Sequence, residues 1–383
     1  MKILINGAGP AGLYLAYRLA RHGSRHQVRV IEQNAADSTF GFGVVFSDRA
    51  LDFLRDDDPA THGLIESGLE RWSDLGLNHR GQAVAIDGVG FAAIGRLELL
   101  ALMQQRARSV GVEPEYGHAV TDVAQLDGHD LVVAADGANS WVRGTLAEQF
   151  GTRVEWLSNR FAWYGTAQRF DTLAQTFVAT GSAHFNAHHY RYAPGMSTFI
   201  VECDEPTWRA GGFATMDEAA TRLRLEAIFA DTLQGHPLIA NKSVWRQFPK
   251  VSNARWSVGS RVLVGDAMRT AHFSIGSGTR LAFEDAIALE RALSERPGDL
   301  PAALQAYETS RRPAVDKLVA AADRSADWYE RFAEHMALDP WHFAWSYIQH
   351  SGRVDAARLR RVSPRFVAAC EAHGVAVDRD VAA

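Results

Sequence analysis

A chain of 383 residues is long enough for one large domain or two interlocked ones. Hydrophobic residues make up 47% and charged residues 22%, an ordinary globular balance, and a net charge of −5 supplies no overall positive field for nucleic acid or an anionic membrane surface. Two cysteines, Cys203 and Cys370, cannot build a disulfide framework, and without a C-x-x-C there is no ligand set for a structural zinc or a redox dithiol.

The opening Met1-Lys2-Ile3-Leu4-Ile5 lacks the long apolar stretch and cleavage site of a secretory signal, and no run nears the roughly 18–20 apolar residues that cross a bilayer, so a cytoplasmic protein is expected. Lys2 to Asn6 reads as a short buried strand ending in glycines. Helical spacing follows from Pro10 to His22, with Leu13, Tyr14, Ala16, Tyr17 and Ala20 on one face, and Val28 to Glu32 supplies a second strand. This is a βαβ unit. From Thr39 to Arg49 the stretch Phe40-Gly41-Phe42-Gly43-Val44-Val45-Phe46-Ser47-Asp48 reads as a loop, and Asp56-Asp57-Asp58-Pro59 as a solvated turn. A helix is expected over Gly95 to Gly111, and a buried strand over Leu131 to Ala135, closed by Asp136-Gly137.

Between about 150 and 255 the texture changes. Aromatic β-like pieces, Phe161 to Tyr164 and Ser197 to Glu202, accompany one helical stretch from Met216 to Thr232. The chain then returns to a buried strand, Arg261 to Val264, and ends in long helices. The expected organisation is α/β: a discontinuous nucleotide-binding domain of 1–150 and 255–320, an inserted, mostly antiparallel sheet of 151–254 that borrows strands from 70–100, and a helical region over 321–383.

The chemistry begins at Gly7-Ala8-Gly9-Pro10-Ala11-Gly12, which follows a strand and opens a helix. Gly7 permits the tight turn, Gly9 lets backbone approach a diphosphate at the positive helix N-terminus, and Gly12 permits close helix–strand packing. Glu32, about twenty residues on, is placed for an adenosine ribose. NAD and FAD both fit this fingerprint. Two later turns, Ala135-Asp136-Gly137-Ala138 with Arg143 beyond it and Val264-Gly265-Asp266-Ala267, put an acid and a glycine at the end of a buried strand, which suits the hydroxyls of a polyol chain. After them, Gly276-Ser277-Gly278-Thr279 opens a helix whose N-terminal amides favour developing negative charge.

Together these motifs resemble the three signatures of the class A flavoprotein monooxygenases, the group of 4-hydroxybenzoate hydroxylase. The resemblance implies an FAD-binding Rossmann-like domain of that type. Its expected cofactor residues are Gly7, Gly9, Pro10, Ala11, Gly12, Glu32, Val44, Arg96, Asp136, Gly137, Gly265, Asp266, Gly276, Ser277, Gly278 and Thr279, with Arg96 matching the family arginine for the diphosphate. Many members carry a proline after the Gly-Asp motif, where this chain has His272-Phe273-Ser274-Ile275. That stretch, with Phe40 to Asp48, is similar to the flavin hydroxylases of aryl-CoA thioesters, the salicylyl-CoA 5-hydroxylases and the hydroxylase part of the 2-aminobenzoyl-CoA monooxygenase/reductases. Trp163-Tyr164-Gly165-Thr166 and Met196 to Cys203 also resemble the tryptophan hydroxylase of violacein biosynthesis.

The resemblance implies FAD as cofactor, NADH or NADPH as transient electron donor, and O2 adding at flavin C4a to give a hydroperoxide that an electron-rich ring attacks. A CoA-linked aromatic such as salicylyl-CoA is the expected substrate, with hydroxylation of tryptophan or another indole as the alternative and a non-redox nucleotide-fold protein as the rival from another class. The length leaves no room for the second reductase module of the 2-aminobenzoyl-CoA enzymes, so a simple hydroxylation is expected. Trp163, Tyr164, Tyr190, Tyr192, Phe199 and Phe273 are candidates for a dry roof over the reaction, with His272, Phe273 and Tyr164 as the expected catalytic residues. His272 reads either as a base for the substrate hydroxyl or as a loop-ordering residue. His184, His188 and His189 lie on a strand-like segment without acidic companions, so no metal is expected. A CoA ester demands cations; Arg49, Arg80, Arg160, Arg169 and Arg191 are available, none singled out.

Overall fold

The computed structural model describes residues 1–21, 26–47 and 49–377, so His22 and Asp48 lie outside the described residues. Lys2–Asn6 and Gln27–Glu32 are parallel neighbours in a six-stranded sheet, ordered Ser257–Val258, Arg261–Leu263, Leu131–Ala134, Lys2–Asn6, Gln27–Glu32, Glu115–Tyr116. Its central strands are apolar on both faces because helices cover both, the pattern of a buried parallel sheet. Between its first two strands runs the helix Pro10–Ala20, with proline in its first turn and Leu13, Tyr14, Leu15 and Ala16 fully buried. Each large side chain so buried is worth about 1.5–3 kcal/mol. Gly12 is obligatory here, since a Cβ would sit 2.0 Å from the Gly7 carbonyl oxygen.

The second body is a seven-stranded sheet, ordered Leu238–Ala240, Arg160–Thr166, Met196–Cys203, Ala183–Ala193, Leu173–Thr180, Leu75–His79, Gln82–Ile86. It is antiparallel except where Leu173–Thr180 meets Leu75–His79. Its strands alternate between two environments, as a period of two requires. Ala162, Tyr164, Ala187, Phe199 and Val201 form an apolar core on one face, packed on Leu225, Phe229 and Leu233 from the helical stretch 218–233. The opposite face, with Phe161, Trp163, Gln175, His188, Tyr190 and Ile200, looks into a cleft.

Three expectations are corrected. Part of the stretch read as a loop, Gly43–Ser47, is a strand paired with Phe91–Gly95 in a three-stranded sheet with Glu70–Trp72. Of the aspartates before Pro59 only Asp56 is solvated: Asp58 is buried and caps the helix Pro59–Glu66 through the Thr61 amide, while Asp57 pairs with Arg18 and Arg291. The histidine segment does have acidic companions, because the neighbouring strand brings Glu202 to His188 and Asp204 near His184.

One helix ties the two bodies together. Leu300–Glu330 is 31 residues long, or about 46 Å at 1.5 Å per residue. Near its start Tyr307 donates to the Leu263 carbonyl, at the end of a strand in the first sheet. Near its end Tyr329 donates to Gln175 in the second, and Glu330 accepts from Ser158 and Asn159. Beyond it the helices Pro340–Gln349 and Pro364–Ala372 close a further core over Leu75, Leu77, Val84 and Ile86. Among the described residues no helix is long and apolar enough to cross a membrane.

Candidate active site

A single cleft of about 670 Å³ runs between the two sheets. One part is built from turns. Gly9, Pro10 and Ala11 line it at the N-terminus of the helix Pro10–Ala20; Gly137, Ala138 and Asn139 line it from the second glycine turn; Asp266, Gly276, Ser277, Gly278 and Thr279 line it from the third. Arg143 locks the last two turns together, donating to the carbonyls of Ala267 (3.0 Å) and Ala138 (2.6 Å).

The glycines divide by what constrains them. Gly7 (φ +112°) makes a turn that other residues rarely adopt, and its Cβ would meet the Ala135 carbonyl oxygen at 2.4 Å. Gly9 and Gly278 are different. Neither has a positive φ, and a Cβ on either meets nothing within 4 Å among the described residues. What their missing side chains keep clear is the cleft itself.

Two of the expected acids point elsewhere. Glu32 accepts from the Ala8 amide at 2.9 Å and from the Asn34 amide and side chain at 2.9 and 2.7 Å, so it anchors the first turn. Asp136 turns inward to Asn6 and to the amides of Trp141 and Val142, leaving its turn's backbone on the cleft wall. Asp266 does face the cleft. Its side chain is exposed to that cleft; desolvation by the surrounding walls pushes its pKa up, while Arg269 and Arg96 hold it down. Gly265 (φ +60°) packs 3.3 Å from Ala11, as judged by an added Cβ, and Gly276 (φ +58°) lies against Val45.

Arg96 opens the helix Arg96–Arg108, shorter at both ends than the Gly95–Gly111 expected, and lines the cleft with Val44. Its guanidinium donates to the Phe40 carbonyl (3.0 Å) and lies 5.1 Å from the centre of the Trp163 ring. It has no carboxylate partner among the described ion pairs, and burial lowers its pKa.

The other part of the cleft is aromatic. Phe161, Trp163, Leu173, Tyr190, Ile200 and Phe273 face it, with Gln175 and His188 as polar groups on its floor. Of the roof candidates, Trp163, Tyr190 and Phe273 are thus on the wall, and Tyr192 packs beside it against Gly43 and Gly95. Tyr164 and Phe199 are not. Strand alternation turns both to the far-face core, where the Tyr164 hydroxyl reaches only the Ser243 carbonyl at 3.4 Å. Tyr164, expected as catalytic, thus does not line the cleft.

His272 stands one layer behind the wall. Its Nδ1 shares a hydrogen bond with Ser274 at 2.8 Å, Ser274 meets Ser325 at 2.5 Å, and its ring is boxed by Phe248, Phe273 and Tyr329. Burial pushes its pKa down to about 4, with Glu202 opposing. The imidazole on the floor is His188, weighed from sequence only as a metal ligand. Its Nδ1 is 2.8 Å from Gln175 and its Nε2 3.4 Å from Glu202, itself held by Asn159 at 2.9 Å. Burial lowers His188 to about 3 and raises Glu202. The signal available in the sequence was the polar alternation Gln175, His188, Glu202 within aromatic strands.

Comparison with known proteins agrees with this architecture. A family model described as FAD binding domain matches residues 1–129 and 98–322. A salicyloyl-CoA 5-hydroxylase of Streptomyces is 41% identical over 94% of this chain and 73% of its own length. A 3-hydroxy-4-methyl-anthranilyl-[aryl-carrier protein] 5-monooxygenase of Streptosporangium sibiricum is 37% identical, covering 87% of this chain and 90% of its own, and a protodeoxyviolaceinate monooxygenase of Chromobacterium violaceum is 33% identical over 91% and 94%. Among solved structures, 2-methyl-3-hydroxypyridine-5-carboxylic acid oxygenase shares the fold with a TM-score of 0.71 at 18% identity, covering 91% of this chain and 95% of its own. With the glycine turns and aromatic cleft described above, these matches show that the chain belongs to the FAD-binding-domain family and is an FAD-dependent monooxygenase.

Proposed function

We propose that this enzyme hydroxylates an electron-rich aromatic ring carried as a CoA thioester, salicyloyl-CoA foremost, using O2 and NADH or NADPH in the cytoplasm. The observation that carries the reading is one continuous cleft joining glycine-lined turns to an aromatic wall with a polar floor. The similarity to a salicyloyl-CoA 5-hydroxylase supports the choice of substrate.

The residues present fit FAD. Gly9 and Gly278 are kept free of side chains where neither backbone nor packing requires it, which is the space a bound cofactor takes. Gly9, Pro10 and Ala11 would hold the diphosphate at a helix N-terminus, with Arg96 as a cation that joins no ion pair among the described residues. Asp266 would accept from the hydroxyls of the ribityl chain, and the amides of Gly276 to Thr279 would face the flavin ring. Reduced FAD supplies the electrons that split O2 and deliver one oxygen atom to the ring.

The chain's own work is positioning, drying and charge management. Trp163, Leu173, Tyr190, Ile200 and Phe273 exclude water from the reacting ring. Gln175 and His188 are the polar side chains the floor presents to a ring hydroxyl. A phenol donates electron density best when it sheds its proton. Gln175, 2.8 Å from His188 Nδ1, and Glu202, 3.4 Å from its Nε2, fix the orientation of the ring on that floor. His272 orders the loop that carries Phe273 through its bond to Ser274.

The test is NAD(P)H oxidation by the purified yellow protein offered salicyloyl-CoA, 2-aminobenzoyl-CoA, free salicylate and tryptophan in turn, with products weighed. A product one oxygen heavier from salicyloyl-CoA supports the reading. Oxygen gained only by tryptophan or free salicylate refutes the thioester.

A further inference from the structure

The cleft has a rim that the chemistry above does not use. Arg246 lines the cleft, and its guanidinium is 5.1 Å from the centre of the Phe40 ring, which is 46% exposed and has Lys242 Nζ 5.2 Å from the same centre. Neither cation joins an ion pair among the described residues. The arginines weighed from sequence are mostly occupied: Arg49 with Asp52, Arg80 with the Ala337 carbonyl, Arg160 over Trp208 and near Glu205, Arg191 with Glu70.

The arrangement is fastened in place. Asn241 donates to the carbonyls of Thr39 and Gly41, both at 3.2 Å, so the loop carrying the cations is tied to the loop carrying Phe40. Lys242 holds a left-handed backbone (φ +54°), uncommon for a residue with a side chain. The backbone of Arg246 pairs in both directions with Phe161, a wall residue of the cleft, and the Arg246 side chain lines that cleft. Trp156, 58% exposed, lines it too.

Two cations outside the described ion pairs, set on an exposed ring, with an exposed indole lining the same cleft as one of them, match one ligand chemistry. Guanidinium and ammonium groups take phosphates, and the flat apolar faces take a planar base. Arg246 and Trp156 line the same cavity as the polar floor, with Phe40 and Lys242 beside Arg246, so a ligand serving both ends has an aromatic head, an uncharged arm and a polyanionic nucleotide end. We propose that Lys242, Arg246, Phe40 and Trp156 bind the phosphorylated ADP end of the CoA thioester. The proposal rests on the thioester reading above and adds where the handle is held.

The test compares Arg246→Ala, Lys242→Ala and Arg246→Lys with the parent, all FAD-loaded. Equilibrium titration is done with salicyloyl-CoA, salicyloyl-pantetheine (which lacks the nucleotide) and NADPH. Each alanine variant is expected to bind salicyloyl-CoA about tenfold more weakly, the loss of one charge-assisted contact. Affinity for salicyloyl-pantetheine and flavin content stay as in the parent, Arg246→Lys recovers most of the loss, and the dependence of affinity on salt becomes shallower. Equal weakening for both thioesters overturns the proposal. So does loss of flavin, which assigns the cations to FAD, or weakened NADPH binding with salicyloyl-CoA unaffected, which assigns them to the electron donor. A parent enzyme that binds salicyloyl-CoA with variants unchanged refutes the rim alone; a parent that binds no CoA thioester refutes the substrate reading with it.

Discussion

Three imidazoles buried in the seven-stranded sheet and behind the cleft wall make the stability of this enzyme steeply dependent on acid. His188, His189 and His272 are each buried, with pKa values pushed down by burial to about 3, 3 and 4. In the unfolded chain each titrates near 6.5, so below that pH the unfolded state binds protons that the native state refuses. A depressed histidine therefore contributes stability that is complete above about pH 6.5 and is lost as pH falls toward the folded value. Each contributes about 1.4 kcal/mol per pH unit in that window, so the three together give about 4 kcal/mol per unit near pH 5.5. Between pH 7 and pH 5 the loss sums to about 6 kcal/mol, against a typical total of about 5–15 kcal/mol. Glu202 runs the other way: its raised pKa lets the native state keep a proton that the unfolded chain releases, which offsets part of the slope. The assay is urea unfolding of FAD-saturated protein, followed by tryptophan fluorescence from pH 8 to pH 5. His189→Gln is the diagnostic variant. His189 lies on the far face, bonded to Thr176 and stacked on Phe199, so replacing it removes one titration without touching the cleft, and the slope near pH 5.5 should fall by about 1.4 kcal/mol per pH unit. A stability profile flat from pH 7 to pH 5 would show that these rings are not held neutral.

Two further outcomes separate roles that resemble each other in sequence. Gly9→Ala should fold normally, since its Cβ meets nothing, yet purify depleted of flavin; full FAD occupancy, read from the visible absorbance, would move the diphosphate away from this turn. Tyr164→Phe should leave the ratio of product to NAD(P)H consumed unchanged and shift stability by less than about 1 kcal/mol, because only a long bond to Ser243 is lost. Uncoupled turnover in that variant would mean that the hydroxyl reaches the reaction after all.

What was legible in the chain was whatever depends on neighbours in sequence. The turn Gly7 to Gly12 declared itself because strand, glycines and helix are contiguous. The strand Gly43–Ser47 did not, because its partner Phe91–Gly95 lies almost fifty residues away and only that pairing makes glycine-rich backbone extended. The aromatic wall was half legible. Composition marks the strands, but which of Trp163 and Tyr164 faces the cleft is a matter of parity, fixed by what covers each face. His188 and Glu202 became a pair through antiparallel register: His188 stands opposite Ile200 and Asn186 opposite Glu202, which brings the two side chains onto one face diagonally.

The helix Leu300–Glu330 carries a constraint on how members of this family can be recombined. It grips the nucleotide half through Tyr307 and Arg311 and the reacting half through Ser325, Tyr329 and Glu330. A helix has a phase as well as a length: inserting one residue midway rotates everything beyond it by about 100° and advances it by about 1.5 Å. Such an insertion leaves both halves intact and points Tyr329 away from Gln175. Substrate walls can therefore be exchanged between relatives by cutting in surface loops, whereas a crossover inside this helix must preserve its residue count. The helix acts as the gauge that keeps the two halves in step.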